Sequence, residues 1–239
     1  MKNWFLIAFV LTQTLVFTQN TELGILIGPS FYTGDVEVTA QTLLPQMHPS
    51  VGVMVRQHFG EHFALRGMIS INGLSGDEKK YPTDKERELR GFNFKATVAE
   101  LAILPEWRPF SFGDVHFALY AGISGLYVNP KSSFNDRKGA TILEDQNQKY
   151  PKFALAIPMG GGLHWNINET TALGTELGIR KTFTDYLDGF SASANPNSND
   201  YYFVGHISFS KFFSLGNNRS GGVRRTHRRN RGVSCPSFN

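Results

Sequence analysis

Cysteine is nearly absent from this chain of 239 residues: the one thiol, Cys235, lies four residues from the C-terminus. No disulfide can close within the chain, which excludes a small disulfide-stapled fold. Nor does a cysteine follow the apolar N-terminal stretch, so no lipid anchor is expected there. Long apolar runs are missing too. Beyond the first residues nothing approaches the ~18 consecutive apolar residues of a transmembrane helix, which excludes a helical span. Charge is sparse, with 24 Lys and Arg against 20 Asp and Glu, so the formal net charge is only +4. The glycine run Gly160-Gly161-Gly162 lacks the Lys and Ser/Thr of a phosphate loop. His48, His58, His62, His116, His164, His206 and His227 show no metal-ligand spacing. No metal and no cofactor are expected.

What is present is alternation. From Phe153 to Ile167 every odd position is apolar or glycine, and every even one is small or polar. Period two marks a strand with one apolar face. Phe153 and Trp165 stand twelve residues apart, and at ~3.3 Å per residue that is roughly 40 Å of strand. Tilted by ~45° the segment rises about 28 Å. That matches the apolar band of about 25 Å, edged by aromatic rings, on an outer-membrane barrel.

The same pattern recurs along the chain. Strands are expected at Thr21 to Tyr32, Ser50 to Phe59, Phe63 to Asn72, Phe92 to Leu104, His116 to Val128, Phe153 to Ile167, Thr171 to Phe183 and Tyr201 to Phe212. The fourth is expected to carry a bulge near Ala99 and Glu100 and to stop at Pro105. Long connections at 33–49, 73–91, 129–151 and 185–200 alternate with shorter ones near 60, at 105–115 and at 167–170. Outer-membrane barrels have long external loops and short periplasmic turns. The expected fold is therefore all-β, an eight-stranded antiparallel transmembrane β-barrel over residues 20–213, with both termini in the periplasm. A soluble sandwich or lipocalin is the alternative.

Two segments flank it. Residues 1–19, with Lys2 followed by the apolar run Trp4 to Val16, are read as a secretory signal peptide, against a buried N-terminal helix. Residues 214–239 form a basic periplasmic tail with six arginines and no acidic residue, opened by a flexible Gly and Asn stretch. Such a tail fits an acidic protein surface or anionic lipid head groups. Arg224, Arg225, Arg228, Arg229, Arg231, Cys235, Pro236 and Phe238 are the candidate partner-binding residues, and Cys235 is a candidate for a disulfide to another chain. The bland reading is a disordered end.

Eight strands leave a lumen that side chains fill, so no diffusion pore is expected. The inward faces carry Arg56, Arg66, Glu176 and Arg180, and Glu100 beside them. Away from water such charges must pair, which points to an internal salt-bridge network. A lipid A-modifying enzyme built on His164 with Ser124 or Ser208 is the catalytic alternative, although their spacing does not single them out, and a purely structural outer-membrane barrel is the other. Asn168-Glu169-Thr170 spells a glycosylation sequon inside a short turn and is given no role.

The opening TELGILIGPSFYTGD, the VNPK of Val128 to Lys131 and above all RKTFTDYLDG, Arg180 to Gly189, resemble the PorG-like outer-membrane barrels of the type IX secretion system. Val36 departs from the leucine of that family. The resemblance implies a non-enzymatic barrel that anchors a periplasmic ring, built by a lipoprotein and its partner, to the outer membrane. Protein export and gliding motility are the implied settings. It supplies no catalytic residues, and neither nucleic acid nor a small-molecule substrate is implied.

Overall fold

A computed structural model describes residues 21–33, 46–77, 91, 93–133, 151–189 and 199–213. The signal peptide expected at 1–19 and the tail at 214–239 lie outside the described residues. The strands are β1 (Thr21–Thr33), β2 (His48–Phe59), β3 (Phe63–Asp77), β4 (Asn93–Phe112), β5 (Val115–Ala121), β6 (Ile123–Ser133), β7 (Phe153–Asn168), β8 (Thr171–Thr182) and β9 (Tyr201–Phe213). Neighbours pair antiparallel, β1 with β9, and β4 with β3, so the hydrogen-bonded ring closes without an edge. β5 and β6 both lie between β4 and β7 and keep one register across Gly122. They are two halves of one wall strand. The molecule is an eight-stranded antiparallel barrel of the outer-membrane type.

Alternation sets the two faces. Leu23, Ile25, Val53, Ile69, Leu101 and Ile103 are outward and exposed, whereas Leu26, Met54, Met68, Ala102 and Leu104 are buried inside. An apolar exterior of this extent cannot face water, and its rims carry the aromatic girdles of a membrane barrel. At the short-turn end Phe63 faces Trp107, and Trp165 faces Val115 across the ladder. At the long-loop end Phe31 stacks on Phe203 at 5.0 Å and Tyr127 meets Phe153 edge-on at 5.2 Å. The intervals 34–47, 78–92, 134–152 and 183–200 separate strands at one end, and 60–62, 113–114 and 169–170 at the other. Asn168 closes the last of these turns, its Oδ1 accepting from the Thr170 backbone N at 2.9 Å and from its hydroxyl at 3.0 Å.

The fourth strand departs from expectation. β4 does not end at Pro105; it spans 20 residues in all, reaching Phe112, and the connection expected over 105–115 is the turn at Gly113 and Asp114. A proline gives the ladder no N–H. Here Pro105 pairs with Leu65 on one side, while on the other it lies beside the break at Gly122, whose own N–H goes to the Pro158 carbonyl at 2.9 Å. The register shift falls between Trp107 and Phe110, not at Ala99 and Glu100. The lumen accepts Phe94, Ala96 and Val98 as inward residues, so the alternation runs unbroken through Ala99 and Glu100. β3 likewise runs on to Asp77 and β6 to Ser133.

Candidate functional site

The lumen is divided along the barrel axis. Toward the short-turn end it holds a chain of buried charges. Glu22, at the start of β1, accepts from Arg56 at 2.7 Å, from His58 at 2.9 Å and from the Ser210 hydroxyl at 2.5 Å. Arg56 turns its Nε to Glu106 at 2.7 Å, and the other oxygen of Glu106 meets Arg66 Nε at 2.8 Å. Arg66 reaches Glu176 at 2.5 Å and lies 4.6 Å from the centroid of the Tyr120 ring. His206 joins Glu176, 3.2 Å away, to Ser50, 2.8 Å away. Ser50, Asn72 and Ser70 carry the bonding on to Glu100, which also takes Arg180 Nε at 3.4 Å and the Tyr202 hydroxyl at 3.2 Å.

Every sequence-expected lumen charge, Arg56, Arg66, Glu100, Glu176 and Arg180, belongs to this one network. Reading Pro105 as a strand end hides Glu106. Unbroken even-numbered spacing from Glu100 through Ala102 and Leu104 is the signal for it. Room for the large groups comes from glycine: a Cβ on Gly178 would collide with the Tyr120 hydroxyl and Arg180 Nη1, and one on Gly160 would meet the same hydroxyl. A side chain at either position would have to displace the Tyr120 hydroxyl, and one at Gly178 the Arg180 guanidinium as well.

Toward the long-loop end the lumen is apolar. Tyr32, Leu74, Phe94, Val98, Leu126 and Leu187 form one buried cluster. Leu187 comes not from a strand but from the segment after β8. The stretch RKTFTDYLDG folds so that Arg180 joins the charge network and Thr182 donates to the Asp200 carbonyl at 2.8 Å. Leu187 inserts into the mouth, its N–H on Asp200 Oδ2 at 2.9 Å. The Tyr32 hydroxyl contacts both Asp200 and Asp188, the latter at 3.0 Å. Gly189 takes φ +84° as the segment leaves, a conformation that favours glycine. The sequence reads as a polar loop over 185–200; a lone leucine between polar neighbours is the only hint of the insertion.

His164, Ser124 and Ser208 all face the lumen and are buried. His164 and Ser208 flank the same residue, Gly174, while Ser124 stands on β6. Gly160 and Gly162 likewise belong to the crowded wall. Arg224, Arg225, Arg228, Arg229, Arg231, Cys235, Pro236 and Phe238 lie outside the described residues. The last described residue before them, Phe213, pairs with Thr21 at the short-turn end.

A family model described as a domain of unknown function, DUF6089, matches residues 1–217. No curated protein matches the chain. Among solved structures, the chain is similar to a major outer membrane protein from Thermus thermophilus, at 11% identity over 81% of this chain and 99% of that one, with a TM-score of 0.46. OprG from Pseudomonas aeruginosa is similar at 7% identity over 82% and 96%, TM-score 0.42. Ail, the attachment invasion locus protein of Yersinia pestis, is similar at 10% identity over 81% and 97%, TM-score 0.40.

Proposed function

The chain belongs to the DUF6089 family, and we propose that it is a non-enzymatic outer-membrane component of a type IX protein secretion machine, anchoring a periplasmic ring complex. One observation carries the reading: the barrel wall begins and ends at the short-turn end, where Thr21 pairs with Phe213. Short turns lie in the periplasm in outer-membrane barrels, so residues 214–239 start on that side. Their arginines then meet protein or lipid rather than nucleic acid, and an acidic face of a ring protein is the complementary surface. The resemblance of RKTFTDYLDG to PorG-like barrels names the machine, with gliding motility as a second output. Cys235 would add an intermolecular disulfide.

Deletion of Ser214 to Asn239 tests this. The truncated barrel should still insert and migrate as a folded, heat-modifiable species, while export through the machine is lost and crosslinked ring proteins no longer co-purify. Export at the full rate from the truncated protein would overturn the anchoring role. A single band of unchanged mass on non-reducing gels of the native envelope would remove the disulfide alone. The enzyme alternative makes the opposite forecast, in which His164→Ala alters lipid composition and the deletion does not.

A further inference from the structure

On the outer wall at the long-loop end, Lys95 of β4 stands directly opposite Lys131 of β6, and both are exposed. Like charges facing each other across a ladder repel. Neither lysine has an ion-pair partner among the described residues. The next pair down the wall is Thr97 and Asn129, both exposed and polar, followed by Ala99 and Tyr127 at the aromatic rim. Beneath the rim Gly125 lies between Leu101 and Leu155, which are exposed. A Cβ on Gly125 would meet nothing within 4 Å. Packing therefore does not require glycine there, and its effect is to leave a furrow between two leucines on the lipid-facing wall.

We infer that this face of β4 and β6 is a binding site for a phosphorylated, acylated lipid, with Lys95 and Lys131 gripping the phosphate and the Gly125 furrow receiving a chain. Lys131 and Gly125 are six residues apart on one strand, about 20 Å along it, so headgroup and chain fit one molecule lying down the wall. Two ammonium groups set side by side suit a phosphate, whose charge removes their mutual repulsion. Thr97 and Asn129 supply further hydrogen bonds between phosphate and rim. The inference rests on the outer-membrane reading, which places these lysines among the headgroups of the external leaflet.

The test uses the full-length protein in phosphatidylcholine nanodiscs doped with a diphosphorylated lipid A or its dephosphorylated counterpart, with retained lipid read by native mass spectrometry. With each lysine contributing as a basic residue does at an anionic surface, the phosphorylated form should be preferred by about tenfold to thirtyfold. Lys95→Gln with Lys131→Gln should abolish that preference. Gly125→Leu should weaken both lipids alike and leave the preference intact. Equal preference in wild type and the double variant would overturn the inference, as would displacement of the lipid by an equal concentration of inorganic phosphate. Heat-modifiable migration and envelope fractionation report insertion separately: a barrel that inserts but does not discriminate refutes this site alone, and one that fractionates as soluble refutes the membrane reading with it.

Discussion

Replacing Arg66 by methionine isolates the energetic role of the lumen network. Arg66 is 0% exposed and is held between Glu106 at 2.8 Å and Glu176 at 2.5 Å. Methionine keeps much of its stem volume and removes the charge. Glu106 would retain Arg56 at 2.7 Å, but Glu176 would be left with His206 at 3.2 Å. Removing one partner from a buried pair costs about 3–5 kcal/mol, because the stranded charge has lost water and gained nothing. With a urea dependence of about 2 kcal/mol per molar, the unfolding midpoint of the refolded barrel in detergent should fall by about 1.5–2.5 M. The second substitution Glu176→Gln, added to Arg66→Met, removes the stranded carboxylate. It should recover about 0.5–3 kcal/mol, the coupling expected within one network. A midpoint for Arg66→Met within about 0.3 M of wild type would refute the reasoning on the same slope, since a water-filled lumen would then be solvating Glu176.

Two further perturbations probe the lipid-facing wall and the long-loop mouth. Ile103 lies midway between Trp107 and the Ala99 rim on β4 and is outward; Ile103→Arg should destabilise the barrel by about 2–4 kcal/mol, against about 0–1 for Thr97→Arg near the interface. Equal costs for the two in a bilayer unfolding titration would contradict the depth assigned to them. Tyr32→Phe removes the hydroxyl shared by Asp188 and Asp200 and should cost about 1–3 kcal/mol. It should also expose 183–189 to external protease in intact cells, and unchanged protection would mean that Leu187 alone holds the segment.

Period two makes most of the fold legible without coordinates, because a closed barrel obeys alternation more strictly than any open sheet. Residues such as Leu23, Ile25 and Ile27 declare one face, and Glu22, Gly24 and Leu26 the other. The reading fails where a local rule is applied against the global one. Pro105 usually ends a strand, but here the ladder is already interrupted on one side at Gly122, so the missing N–H costs little. The bulge expected near Ala99 and Glu100 is not needed, because Phe94 and Val98 face the lumen in step with Glu100. In the candidate site the charged residues are legible and their partners are not. Which carboxylate meets which guanidinium depends on register between strands far apart in sequence, such as Glu22 against Arg56 and Arg66 across to Glu176.

The division of the lumen bears on how the proposed export role would be served. Passage of a chain would need a continuous polar bore, yet at the long-loop end Leu187, Phe94 and Tyr32 fill the cross-section with apolar bulk. Closer to the short turns, Arg56 and Arg66 cross it as buried ion pairs, and Arg180 with Glu100 lies between the two levels. Opening either level would strand charges or expose the apolar cluster, at a cost of several kcal/mol per broken pair. A wall braced in this way suits the proposed anchoring role better than a conducting one. The partner proposed above would therefore engage surfaces outside the lumen, and the short-turn end, where Thr21 and Phe213 lie side by side, is the surface that reading selects.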